Sequence, residues 1–202
     1  MERLVWIDCE MTGLDVGSDL LLEVAVLVTD EELTILDDGL DLVIGATADE
    51  LARMDDFVTA MHASSGLTEA CLASTLTLAD ATEQVLAYVK GHVPEVRKAV
   101  LCGNSIGTDR GFLNRDMPTL DEHLHYRMID VSSIKELVRR WYPRAWFAKP
   151  EKLGGHRALA DITESIKELQ YYRRAVFVPQ PGPDSTTAGR IAAEVTGATP
   201  LS

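Results

Sequence analysis

The sequence predicts an α/β fold: a mixed sheet, with an antiparallel meander followed by alternating helices and strands, flanked by helices. Two observations carry this expectation. Three apolar segments near the N-terminus are joined by short turn-forming clusters. Beyond them, helical periodicity alternates with brief buried runs. A third observation bears on what the sheet presents: Asp8 and Glu10 lie two residues apart inside the first apolar segment.

Residues 3–9 read as the first strand, and Thr12-Gly13-Leu14-Asp15-Val16-Gly17-Ser18 as a turn. Leu20–Thr29 and Leu33–Val43 read as two further strands, joined by the acidic turn Asp30-Glu31-Glu32. Ala48–Ser64 is expected to be helical, with Leu51, Met54, Phe57, Val58 and Met61 at helical spacing. Leu76–His92 is a second helix, started by Thr77 and Asp80 and ended near Gly91 and Pro94. Ala99–Cys102 is a short buried strand running into Gly103-Asn104-Ser105, and a helix follows from Thr108 to Arg115. Arg127–Val131 reads as a strand and Ser132–Trp141 as a helix, with Ser132 or Ser133 available as N-cap. Ala158–Val176 is the last helix read from the pattern. After Pro179 the composition shifts to Pro, Gly, Thr and Ala, the mark of a poorly packed tail.

The 202 residues suit one domain with its own core. With 46% hydrophobic and 25% charged residues the chain belongs with soluble globular proteins rather than disordered or membrane ones. The first residues lack a basic stretch and meet Asp8 after four apolar residues, so no signal peptide is expected. Cys9, Cys71 and Cys102 have no metal-type spacing and leave an odd thiol, which suits a reducing cytoplasm. The net charge of -13 argues against a grip on long nucleic acid through phosphates. The richest basic stretch, Lys135 to Lys152 with Arg139, Arg140, Arg144 and Lys149, is local. A nucleic-acid substrate should therefore be short.

In a strand, residues i and i+2 share a face, so the Asp8 and Glu10 carboxylates lie side by side. Like charges held that close raise each other's pKa or are neutralised, and a hard divalent cation does so through oxygen ligands. The plainer alternative is an exposed strand end with both acids in water. Asp109 follows the turn after the Ala99–Cys102 strand, where binding groups gather in α/β sheets. Taken alone it reads first as a helix N-terminal acid favoured by the dipole. In Gly154-Gly155-His156-Arg157-Ala158-Leu159-Ala160-Asp161, His156 stands ahead of a helix and Asp161 about one turn inside it. Either could be a cap or a surface residue.

The spacing of all five is less easily explained that way. Asp8-x-Glu10, Asp109 and His156-x4-Asp161 resemble the DEDD exonucleases, in the subclass with a His before the last Asp. More closely, the chain resembles the oligoribonuclease family. Trp6 to Asp15, Gly103-Asn104-Ser105-Ile106 with Asp109-Arg110, and His125-Tyr126-Arg127-Met128-Ile129-Asp130-Val131-Ser132 carry the likeness. So do Lys135-Glu136-Leu137, Arg139-Arg140-Trp141, His156-Arg157-Ala158, Asp161-Ile162 and Tyr171-Tyr172-Arg173. It runs from residue 3 to about 177, which sets an exonuclease domain over 1–177 and a tail over 178–202.

The resemblance implies a ribonuclease H-like fold and hydrolysis of short RNA from the 3′ end to nucleoside 5′-monophosphates, linear dinucleotides included. It implies that Asp8, Glu10, Asp109 and Asp161 hold two Mg²⁺ or Mn²⁺ ions, with His156 as base. Leu14 and Phe57 match positions that pack against bases; the family commonly has Trp at the second, and core packing is the alternative for Phe57. His62 matches a position near the terminal nucleotide, although a helix-surface His is the default from pattern alone. Ser105, Arg127 and Ser132 match groups that cap the 5′ phosphate. Tyr126 matches a residue lent by the partner subunit, which implies a homodimer. A DNA proofreading-type exonuclease shares the acid spacing. A catalytically inactive RNA- or protein-binding module is disfavoured because all five chemical residues are present.

Overall fold

The computed structural model describes residues 3–151 and 157–197. Strands β1 (Arg3–Met11), β2 (Leu21–Asp30), β3 (Leu40–Val43), β4 (Ala99–Gly103) and β5 (Leu124–Asp130) form one five-stranded sheet in the order β3-β2-β1-β4-β5. β1, β2 and β3 pair antiparallel as the expected meander. β4 runs parallel to β1, and β5 parallel to β4, as helical crossovers require. The sheet is mixed, and helices cover both faces.

Alternation along β1 divides the core. Val5, Ile7, Cys9 and Met11 face one layer, which includes Val85 and Val89 of α4 (Leu78–His92), Phe112 and Leu113 of α5 (Ile106–Asp116), and Leu120 of α6 (Pro118–His123). Trp6 faces the other, with Val131 and Val138 of α7 (Val131–Trp141) and Ile162, Ile166 and Tyr172 of α9 (Ala158–Ala175). Each fully buried aliphatic contributes about 1.5–3 kcal/mol. The spacing of Ile162, Ile166 and Leu169 therefore fixes which face of α9 meets the sheet. No helix among the described residues is long and apolar enough to cross a membrane.

Several elements differ from the pattern-based expectation. The segment read as one strand over 33–43 keeps only β3 and an isolated bridge between Thr29 and Ile35. Leu33 and Gly39 adopt φ of 68° and 71°, which a continuous strand cannot contain. The helix expected over 48–64 splits into α1 (Ala48–Leu51) and α2 (Asp56–Ser65) because Asp55 caps a new helix, accepting from Val58 N. A further helix, α3 (Leu67–Ala73), follows the left-handed Gly66. The N-cap of α7 is Asp130, not Ser132 or Ser133, and its carboxylate accepts from Ser132 N. α8 (Pro143–Phe147) opens on a proline at its first helical position. In the Pro/Gly/Thr/Ala-rich segment, α10 (Ser185–Thr196) forms behind an Asp184 cap, with none of its residues buried.

Candidate active site

Asp8 and Glu10 leave β1 on the same face as Trp6, the face that α9 covers. Asp161 lies in the first turn of α9 and completes the group. Ligand atoms of Asp8, Glu10 and Asp161 all lie within 4.8 Å of one another.

A residue that pattern reading passed over sets this arrangement. Glu23 is fully buried and pairs with Glu10 across the β1–β2 ladder. Its carboxylate accepts from the Ala158 amide at 3.0 Å and from Arg157 Nε at 2.7 Å, with Arg157 Nη2 at 2.6 Å. The N-cap residue of α9 makes no side-chain cap bond, so Glu23 supplies one across 135 residues of chain. The signal in the sequence is a lone acid in the apolar run Leu21-Leu22-Glu23-Val24-Ala25-Val26. A buried charge there needs a partner.

Asp109 arrives from the other layer. β4 ends at Gly103, where an added Cβ would lie 3.0 Å from the Ile7 carbonyl oxygen and 2.9 Å from Ile106 Cδ1. Only glycine allows that approach, which starts α5 close beside β1. The β1–β4 pairing stops at Trp6–Cys102, and Asp109 Oδ1 accepts from the Cys9 amide beyond it at 3.0 Å. Asp109 is buried, at 6% exposure, rather than a solvated helix-end acid.

Burial pushes Glu10 up to about 7, with the charges of Asp161, Glu23 and Asp109 acting in the same sense and Arg157 against them. Burial likewise pushes Asp109 up to about 7, opposed by the Cys9 amide hydrogen bond. Carboxyl groups held this way favour a proton or a hard cation, and the donor set is all oxygen. The residues fit divalent metal ions.

His156 lies outside the described residues. Leu14 and Phe57 are 75% and 74% exposed, so Phe57 is not core. Leu14 is held out by a braced turn, in which Asp19 accepts from Thr12 Oγ1 at 3.0 Å and from the Asp15 amide at 2.8 Å. His62 is not on the helix surface: it is fully buried, with Nε2 2.9 Å from the Met11 carbonyl oxygen and Nδ1 4.0 Å from Glu10 Oε2. The amphipathic pattern misled because α2 packs its His62 side, not its Phe57 side, against the end of β1.

Ser105 and Ser132 meet at 3.1 Å, Oγ to Oγ. Asp130 Oδ1 accepts from both of their amides, at 2.9 and 3.0 Å. Arg127 is not drawn into that cluster. It lies over the Tyr126 ring, 5.4 Å from its centroid, and lines a separate cavity of about 720 Å³ with Arg3, His92, Lys98 and His125. Tyr126 itself is 64% exposed on the edge strand β5.

The family model for exonucleases, RNase_T, matches residues 5–169. Oligoribonucleases from Streptomyces avermitilis and Rhodococcus jostii are 63% and 61% identical, each over 96% of this chain and 96% and 98% of their own lengths. That of Streptomyces coelicolor is 65% identical over 96% of both chains. Among solved structures, E. coli exonuclease I in a complex with single-stranded DNA superposes with a TM-score of 0.65 at 13% identity. The match covers 87% of this chain but 40% of that longer one, and it bears on the fold. By family model and by relatives matched nearly end to end, the chain belongs to the oligoribonuclease family of exonucleases.

Proposed function

We propose that this chain is a 3′→5′ exoribonuclease that degrades short RNA, linear dinucleotides included, to nucleoside 5′-monophosphates with two Mg²⁺ or Mn²⁺ ions. The observation that carries the reading is the convergence of Asp8, Glu10 and Asp161 within 4.8 Å in a chain over 60% identical to oligoribonucleases. Asp8, Glu10, Asp109 and Asp161 hold the ions, which when bound supply charge neutralisation and activation of water. His156 takes the proton of the attacking water, a role suited to an imidazole near neutrality.

The remaining groups select and orient. Leu14 and Phe57, large and exposed, offer apolar surface to the bases; Phe57 gives a smaller platform than the family's Trp. His62, with Nδ1 4.0 Å from Glu10 Oε2, adjoins the acid cluster, and its family position assigns it to the terminal nucleotide. Ser105 and Ser132 receive the 5′ end. Tyr126, exposed on an edge strand with Met128, favours delivery from a second copy in a homodimer, and Arg127 is read with Ser105 and Ser132 as a group for the 5′ phosphate. Three buried free thiols agree with a cytoplasmic setting.

The test is mass-spectrometric product analysis on RNA of two to seven nucleotides in Mg²⁺ or Mn²⁺. Mononucleotide 5′-phosphates from every length, with the dinucleotide consumed, are expected. Inertness on the dinucleotide alongside digestion of long DNA primer ends would replace the reading with a proofreading exonuclease.

A further inference from the structure

Leu14 is largely exposed, yet the turn that carries it is closed from within and tied down from outside. Within, the Asp15 carboxylate accepts from the Gly17 amide at 2.8 Å and from Ser18 Oγ at 2.9 Å. The Asp15 carbonyl accepts from the Ser18 and Asp19 amides at 3.0 and 2.8 Å. The Leu20 amide donates to Thr12 Oγ1 at 2.9 Å and closes the loop between β1 and β2. These bonds fix the shape of the turn but not how it sits on the body of the protein.

Arg115, in the last turn of α5, supplies that second restraint. Its Nη2 donates to the Asp19 carbonyl at 2.7 Å and its Nη1 to the Val16 carbonyl. Nε and Nη2 also form a fork on the Asp116 carboxylate, each at 2.6 Å. The guanidinium lies over the ring of the fully buried Phe112, 5.0 Å from its centroid. A guanidinium is planar and always charged, so held on two edges and one face it acts as a rigid bridge. Packing agrees with this. Val16 is partly buried against the core, and an added Cβ at Gly111 of α5 would lie 3.1 Å from Val16 Cγ2.

The helix that anchors the turn is also the one that presents Asp109, in its first turn. Arg115 follows six residues later, about 9 Å along the axis. One rigid element therefore carries a buried acid of the site at one end and the anchor of the Leu14 turn at the other. The turn itself leaves β1 directly after Met11, so it is fixed to both elements that bear Glu10 and Asp109.

We propose that Arg115 is a positioning residue, which clamps the Leu14 turn to α5 and so sets the base-contacting side chain relative to the metal ligands. The inference rests on the reading that Leu14 packs against a substrate base.

The experiment is a double-mutant cycle. KM and kcat on a 5′-phosphorylated RNA dinucleotide are measured in Mn²⁺ for wild type, Leu14→Ala, Arg115→Ala and the double variant. Leu14→Ala should raise KM roughly 10-fold through lost apolar contact. Arg115→Ala should raise KM by a similar factor, with kcat within a few-fold and calorimetric Mn²⁺ affinity unchanged. The double variant should match Leu14→Ala alone to within about 2-fold, because the clamp has nothing left to position. Arg115→Lys, with an ammonium in place of the fork, should fall between wild type and Arg115→Ala. Losses that multiply in the double variant would show Arg115 acting apart from Leu14 and overturn the proposal. So would an unchanged KM in Arg115→Ala, including the case where kcat or Mn²⁺ affinity falls alone, the mark of a merely structural role. An unchanged KM in Leu14→Ala would remove the base-contact reading and the proposal with it, while the exonuclease reading stands. Should Arg115→Ala fail to fold by circular dichroism, Arg115→Lys replaces it in the cycle, and an unchanged KM or multiplying losses there count against the proposal in the same way.

Discussion

His62 Nδ1 lies 4.0 Å from Glu10 Oε2 in a fully buried position, while His62 Nε2 sits 2.9 Å from the Met11 carbonyl oxygen. A carbonyl only accepts, so Nε2 carries a proton, and Nδ1 faces the Glu10 carboxyl. One side chain from α2 thereby fixes the end of β1 and one wall of the acid cluster. Replacing it with alanine leaves a buried acceptor unpaired and a cavity beside Glu10. His62→Ala should cost about 2–4 kcal/mol of stability, read as a lower denaturant midpoint. Mn²⁺ affinity, measured calorimetrically well below the melting temperature, should fall as well. Unchanged affinity would separate His62 from the metal ligands.

The carboxyl pKa values give a pH dependence for the metal-free protein. Glu10 moves from 4.5 to about 7 on folding. Below 4.5 both states carry the proton. Between 4.5 and 7 the unfolded chain releases it while the folded chain retains it, so stability falls as pH rises, by on the order of 3 kcal/mol for Glu10 alone. Above 7 the slope from this group vanishes. Asp109, also raised to about 7, acts in the same direction. Melting in excess EDTA should therefore be lower at pH 8 than at pH 5.5. Mn²⁺ or Mg²⁺ should raise it most at pH 8, where no proton competes for the site, and ligand at 100-fold its Kd should contribute about 2.7 kcal/mol. A melting temperature in EDTA that climbs from pH 5.5 to pH 8 would contradict the raised carboxyls, and full turnover in EDTA would contradict metal dependence.

If His156 is the base, His156→Ala should lower kcat by about 10²–10⁴-fold with little change in Mn²⁺ affinity. The rise of kcat with pH that depends on the imidazole should disappear with it. A variant within a few-fold of wild type assigns the proton to another group.

How much of this was legible in the sequence depends on the range of the interaction concerned. The Asp8–Glu10 pair, the antiparallel meander and the Thr77 cap are set within a few residues or by simple alternation, and pattern reading reaches them. The cap of α7 falls at Asp130, two or three positions before the expected serines, because three capping residues, Asp130, Ser132 and Ser133, stand together. Asp55 breaking the helix at 48–64 was hidden because the apolar spacing of Leu51, Met54 and Val58 continues across the break. The Glu23 clamp on Arg157 and Ala158 joins segments some 135 residues apart, and its only local trace is an acid in an apolar strand. The burial of His62 follows from how α2 docks on β1, which no periodicity within α2 encodes.

The last prediction concerns which subunit supplies Tyr126. In its own chain Tyr126 points from an exposed edge strand, stacked on His125 with ring centroids 4.6 Å apart, and Arg127 rests over its other neighbourhood at 5.4 Å. Asp109, by contrast, is built into its own chain's site through the Cys9 amide. If Tyr126 acts across a two-fold interface, each site takes Asp109 from one subunit and Tyr126 from the other. Tyr126→Ala and Asp109→Ala proteins should each be nearly inactive as homodimers. After subunit exchange, both lesions in a heterodimer fall in the same site and the second site is whole. An equimolar mixture should then recover about a quarter of wild-type activity, since half the dimers are mixed and each has one working site. Exchange is verified independently by native mass spectrometry with differently sized tags. Mixed dimers without recovered activity would place Tyr126 in the site of its own chain, and the exposed β5 edge would have to be explained by packing alone.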